Sequence, residues 1–217
     1  MIEIIAGCAV GATIVCIHRL LSARRHRWMS RHPAPTFVFA DLVGYTALTE
    51  QRGDDAAARV AREFWRTMSS LSREHGAWQV KSMGDAAMIW APDAERAVAL
   101  AERAVKEVGS RPDLLPVRVG AHTGPAVMRG GDWYGGAVNL AARLAAAAEP
   151  NQALISCATR LAAGGTPAPS LRGRRELLLH GVENPIVAWE LPPSAGRRGD
   201  RARTVERDGR MTASLAS

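Results

Sequence analysis

Cysteine is scarce in this 217-residue sequence: only Cys8, Cys16 and Cys157 occur. Three poorly placed thiols make no disulfide framework, and no Cys or His pair has the spacing of a zinc site, so a reducing compartment is expected for the folded part. Internal repeats are absent as well, which excludes a solenoid. The length accommodates one well-filled core with appendages and excludes two ordinary catalytic domains. The net charge of +7 and the pI near 10.3 look like those of a nucleic-acid binder, yet the middle of the chain lacks the excess. Arg19, Arg24, Arg25, Arg27 and Arg31 crowd one end, and six arginines fall between Arg197 and Arg210 at the other. Without that excess, a basic nucleic-acid face is not needed to explain the pI, and no nucleic-acid partner is expected.

One long apolar run is present. Ile2 to Ile17 is interrupted only by Glu3 and Thr13, and Leu20 and Leu21 prolong it. This is marginal against the roughly 20 residues a bilayer helix needs. The arginines follow the run, the reverse of a secretory signal, and they place its start outside and everything after it in the cytoplasm. Residues 1–21 are therefore expected to form a single-pass membrane anchor, with a buried or interfacial helix as the alternative. Gly7 and Gly11 form a GxxxG suited to close helix pairing. Residues 22–35 read as a basic juxtamembrane linker, 36–191 as the folded domain, and the Arg-, Gly- and Ser-rich 192–217 as a disordered tail.

Within the domain, hydrophobic periodicity and turn residues give the element order. Thr36 to Ala40 reads as a strand and Asp54 to His75 as a helix. Trp78 to Ser82 and Ala86 to Trp90 read as a hairpin about Met83-Gly84-Asp85. Ala94 to Val108 is a helix opened by Pro92-Asp93 and ended by Gly109. Val117 to His122 and Ala126 to Met128 are strands, and a glycine-rich loop runs from Arg129 to Gly136. Ala137 to Ala148 is a third helix; Ala153 to Ser156, Glu176 to Leu179 and Ile186 to Leu191 finish the sheet. The expected fold is α+β and ferredoxin-like (βαββαβ), an antiparallel sheet with helices on one face.

The stretch TFVFADLVGYT, Thr36 to Thr46, places an acid, Asp41, after a buried strand and just before a helix start. Backbone N–H groups converge there, which suits phosphate oxygens and the cation that accompanies them. Asp41 is thus either a metal ligand or a helix cap. Asp85 ends the turn Lys81-Ser82-Met83-Gly84-Asp85. If its strands join the same sheet, it comes beside Asp41, and two adjacent carboxylates call for a cation between them; otherwise it is an ordinary turn residue. Asn139 and Arg143 stand four apart on one helix face, an amide beside a fixed guanidinium fork, suited to growing charge on phosphorus or simply solvated. Lys81 and Asp132 are a donor and an acceptor able to read a base edge, or plain surface charges.

Four segments, FVFADLVGYTALTE, VKSMGDAAMIW, VRVGAHTGPAV and GDWYGGAVNLAARL, resemble the catalytic domain of the class III nucleotide cyclases in order and spacing, over about Thr36 to Leu191. The resemblance implies an enzyme that turns ATP into cyclic AMP and pyrophosphate. It implies that Asp41 and Asp85 bind two Mg2+ or Mn2+ ions, and that Lys81 and Asp132 select adenine. It also gives Asn139 and Arg143 the ribose and the transition state. Backbone N–H groups of Leu42, Val43, Gly44, Tyr45 and Thr46 are expected along the phosphates. Guanylate cyclases resemble the same pattern with other residues at the base-reading places. The family often carries a triphosphate-gripping lysine where this sequence has His180, a poorer phosphate clamp when neutral. A homodimer with sites shared between copies is implied. A guanylate cyclase or a catalytically silent, membrane-tethered module are the alternatives.

Overall fold

A computed structural model of the chain describes residues 34–164 and 171–191. The expected anchor at 1–21, nearly all of the linker and the tail at 192–217 lie outside them. The chain runs β1 (Thr36–Leu42), α1 (Tyr45–Glu74), β2 (Trp78–Met83), β3 (Ala86–Ala91), α2 (Ala94–Ser110), β4 (Val117–Thr123), β5 (Val127–Arg129), β6 (Asp132–Tyr134), α3 (Gly136–Ala147), β7 (Gln152–Ser156), α4 (Cys157–Ala162), β8 (Arg172–Leu177) and β9 (Ile186–Leu191). Seven strands form one sheet in the order β2-β3-β1-β4-β7-β9-β8, and β5 with β6 makes a separate hairpin. The first six elements give the expected βαββαβ unit, with β1 antiparallel to both β3 and β4. Strand β7 extends the sheet in parallel to β4.

Alternation along β1 decides which side each helix covers. Val38, Ala40 and Leu42 enter one core with Phe64 and Met68 of α1 and Leu100 and Val105 of α2. Phe37 and Phe39 point the other way and meet Ala137, Val138, Ala141 and Ala145 of α3. Helices therefore cover both faces, not one as expected. The sequence pattern already contained the reason: β1 is apolar at both parities, and such a strand needs cover on both sides. Fully buried side chains such as Phe37 and Phe64 contribute about 1.5–3 kcal/mol each by leaving water.

Element bounds move at several places, and β8 runs Arg172–Leu177 rather than Glu176 to Leu179. The helix start read just after Asp41 and the helix read from Asp54 are one element, α1 from Tyr45, because two helical stretches join across a kink at Gly53, whose φ of 77° and ψ of 167° are not helical. The expected loop from Arg129 to Gly136 contains β6, paired to β5 through Val127↔Tyr134 and Arg129↔Asp132. The short helix α4 was not expected; Ser156 caps it by accepting from the Thr159 N–H. Helix α2 starts as read, with the Asp93 carboxylate accepting from the Arg96 N–H at 2.9 Å.

Candidate active site

The β1–β3 register sets Asp41 opposite Ala86, the residue after Asp85. The Leu42 N–H donates to the Asp85 carbonyl at 3.1 Å, tying the acid-bearing turn to the end of β1. Two acids distant in sequence are thereby held side by side. Burial pushes the Asp85 carboxyl above its ordinary range; its own backbone N–H opposes this, the like charge of Asp41 adds to it, and Arg118 opposes it. Asp41 is not a helix cap: it lies within β1, and α1 is preceded by Gly44 at φ 87° with no side-chain cap.

The partner of Asp41 is Arg118, a residue the sequence reading passed over. Its Nε and Nη2 both donate to Asp41 Oδ2, at 2.8 and 2.6 Å, and its Nη1 reaches the Ala146 carbonyl of α3 at 3.3 Å. Arg118 stands directly opposite Asp41 in the β1–β4 register. A lone arginine inside the apolar strand Val117–Thr123 was the available signal.

Two hard carboxylate oxygen donors at the end of a sheet fit Mg2+ or Mn2+, whose remaining positions go to water and substrate phosphates. The Asp85 carboxyl is raised chiefly by burial, and the nearby charge of Asp41 adds to it, as it would for two acids on neighbouring strand ends. Among the described residues no group of three or more acids, histidines or cysteines could hold an ion by itself. The donor set fits a cation shared with a ligand rather than a closed structural site.

Lys81 on β2 and Asp132 on β6 come together, Nζ to Oδ2 at 2.6 Å. The bond from Lys81 holds the Asp132 carboxyl below the usual carboxylate range. The Trp133 N–H fixes the other oxygen, Oδ1, at 2.8 Å. The pair is thus a charged acceptor beside a charged donor. It is part-exposed and backed by Trp133, which stacks on Trp90.

Asn139 is exposed on α3, and Arg143 lies one turn further along. Arg143 Nη1 donates to the Gly181 carbonyl at 2.8 Å. That bond places Arg143 beside the exposed His180 in the turn before β9. The expected row of phosphate-facing N–H groups narrows. The Leu42 N–H is taken by Asp85 and the Val43 N–H by Pro116, at 2.7 Å. Gly44, Tyr45 and Thr46 remain, at the start of α1, where the first N–H groups of a helix have no intrahelical acceptor. His122, towards the other end of β4 from Arg118, is half-buried, and that burial lowers its pKa to about 4; its Nδ1 lies 2.8 Å from Ser156 Oγ.

The candidates therefore form three clusters. One is Asp41, Asp85 and Arg118; the second is Lys81 with Asp132; the third is Asn139, Arg143 and Gly181. Among the described residues no hydrogen bond or ion pair joins either acid to Lys81, Asp132, Asn139 or Arg143. A groove of about 590 Å³ along α1, lined by Arg52, Arg59 and Arg62 among others, includes none of them.

The model of the adenylate and guanylate cyclase catalytic domain matches residues 28–189. An uncharacterized protein of Mycobacterium tuberculosis is 34% identical over 189 residues, covering 84% of this chain and 49% of its own length. The pH-sensitive adenylate cyclase of the same species is 31% identical over 172 residues, covering 76% and 42%. An adenylate cyclase of Streptomyces griseus is 30% identical over 176 residues, covering 81% and 40%. The chain thus spans less than half the length of these curated relatives. A Trypanosoma brucei adenylate cyclase in its monomeric state superimposes with a TM-score of 0.69 at 22% identity, covering 77% of this chain and 92% of that one. An adenylyl cyclase from P. aeruginosa gives 0.60 at 23% identity, covering 76% and 95%. The chain belongs to the adenylate and guanylate cyclase catalytic-domain family.

Proposed function

We propose that this domain is an adenylate cyclase, with sites assembled from two copies of the chain. The observation that carries the reading is the side-by-side placement of Asp41 and Asp85 by the β1–β3 register and the Leu42 bond to the Asp85 carbonyl. In the reaction, the ribose 3′-oxygen of ATP bonds to its own α-phosphorus, the bond from that phosphorus to the bridging oxygen breaks, and pyrophosphate leaves while the hydroxyl proton passes to solvent. Asp41 and Asp85 would hold two divalent cations, Mg2+ or Mn2+, which would supply acidification of that hydroxyl and neutralisation of the triphosphate.

The residues of the chain do the rest by holding and orienting. The N–H groups of Gly44, Tyr45 and Thr46 offer donors to phosphate oxygens at a helix start. Asp132 accepts from the adenine amino group while Lys81 donates to the neighbouring ring nitrogen. Guanine presents a carbonyl and an N–H at those places and meets the wrong partner at both, which disfavours GTP. Asn139 orients the ribose, and the Arg143 guanidinium meets the charge that grows on the equatorial oxygens. No hydrogen bond or ion pair among the described residues joins the acids to the other candidates, which is in keeping with a site in which one copy gives the acids and the other gives the base-reading pair, Asn139 and Arg143. Residues 2–21, as a membrane anchor with the catalytic domain cytoplasmic, would raise the effective concentration of the second copy.

The test is cyclic nucleotide formation from ATP and from GTP, with Mg2+ or Mn2+. Wild type is expected to make cyclic AMP, Asp41→Ala to make none, and Lys81→Glu to lose its preference for ATP. Absence of product from either nucleotide with wild type refutes the reading.

A further inference from the structure

Asp41 is the more deeply committed of the two acids. Its Oδ2 takes both the Nε and the Nη2 of Arg118, so one carboxylate oxygen is closed off by a cation of the protein's own. Asp85 has no such partner among the described residues. The contact is fixed by the fold rather than by a wandering side chain. Asp41 and Arg118 face each other across adjacent strands, and the third arm of the guanidinium is held by the Ala146 carbonyl near the C-terminal end of α3, where the helix dipole favours positive charge. The pair is also sheltered: the side chains are 33% and 21% exposed for Arg118 and Asp41. Solvent screens such a pair less than a surface one.

We propose that Arg118 is a built-in counter-cation that competes with divalent metal for Asp41 and so holds down metal affinity until nucleotide arrives. This inference rests on the reading of Asp41 as a metal ligand. A cation binding there must either take Oδ2 from the guanidinium or sit on Oδ1 with a like charge a few ångströms away. Both routes oppose it, and both disappear when the charge of Arg118 is removed. Asp85, which is not ion-paired, is the acid open to the first contact. Arg118 is in this sense a positioning residue: it sets when the acid pair is available.

The experiment is direct binding of Mn2+ to the full chain without nucleotide, followed by electron paramagnetic resonance of the free ion, so no turnover is read. Arg118→Gln is expected to bind Mn2+ about tenfold tighter than wild type, a change of about 1.4 kcal/mol. Arg118→Lys, which keeps the charge and loses the fork, is expected to stay within about threefold of wild type. Arg118→Met, which keeps the apolar stem, provides the same test if the Gln variant does not fold. Equal or weaker Mn2+ binding in the charge-removed variants overturns the proposal and makes Arg118 an aligner of the carboxylate. Asp41→Asn separates the two levels: it should abolish the gain in the Arg118→Gln background. If neither wild type nor Arg118→Gln binds Mn2+, and Asp41→Asn changes nothing, the metal reading of Asp41 falls together with this inference.

Discussion

Gly120 is the point at which helix α3, carrying Asn139 and Arg143, rests on the sheet, and replacing it by alanine is a worked test of that packing. A Cβ built at Gly120 would lie 2.1 Å from the Ala145 nitrogen, 2.4 Å from the Ala141 carbonyl oxygen and 2.7 Å from the Leu144 carbonyl carbon. All three are backbone atoms of α3, so no side chain can swing aside. The helix must retreat as a body by about 1.4 Å to reach ordinary contact distance. Its sheet-facing residues Ala141, Leu144 and Ala145 are buried and would lose contacts together. Overpacking costs about 1–3 kcal/mol when neighbours can adjust, and the rigid backbone here puts the cost near about 3 kcal/mol. For a domain of this size each kcal/mol lowers Tm by roughly 2–4 °C, so Gly120→Ala should melt about 6–12 °C early. A shift of that order at Asn139 and Arg143 should also cost about 100-fold in kcat. Calorimetry and a cyclase assay read the two effects. Gly136→Ala is the control, since a Cβ there meets nothing within 4 Å. Gly120→Ala melting within about 2 °C of wild type, at full activity, would refute the close-packing argument.

Other consequences can be measured independently. His122 is neutral when folded, with its pKa lowered to about 4 by burial, against 6.5 unperturbed. Its contribution to stability is complete above the unfolded value and is lost as pH falls from about 6.5 towards 4, by roughly 3 kcal/mol in all. His122→Asn should flatten that part of the denaturant-melting pH profile, and a superimposable profile would discard the argument. Gly181 has φ 66°, and a Cβ there would lie 3.0 Å from Arg143 Nη2. Gly181→Ala should therefore cost about 1–2 kcal/mol of stability from the left-handed backbone, and should lower kcat more than it raises KM by displacing Arg143. A pure KM effect would dissociate Gly181 from Arg143. His180→Lys should lower the KM for ATP several-fold if this exposed position faces the triphosphate; an unchanged KM would place His180 outside the site.

Much of this architecture was legible because local signals and the global fold agree. The β-branched and aromatic run before Asp41, the Gly-Asp turn of the β2–β3 hairpin, and Asp93 at the head of α2 each say locally what the sheet requires. The Lys81–Asp132 pairing was legible only as two positions of a resemblance; that they touch depends on the β5–β6 hairpin, whose three-residue strands are too short to show a period. Arg118 was missed for a related reason. Its role comes from register across β1 and β4, which a single strand's sequence does not encode. The two-sided helix cover was readable in the apolar residues at both parities of β1, and the one-face expectation gave that pattern too little weight. The Gly53 kink hid the continuity of α1, because Gly53 breaks the helical pattern between the stretch after Gly44 and the one that begins with Asp54.

The central claim, an active site that no single copy completes, is tested most directly by mixing two inactive variants. Asp41→Ala lacks a metal acid and Arg143→Ala lacks the transition-state guanidinium, and each alone should be silent. In a one-to-one mixture of exchanging dimers, half are mixed and each mixed dimer holds one intact site of two, so cyclic AMP formation should return to about a quarter of the wild-type rate. A mixture as silent as its components, with dimer exchange verified, would contradict the account.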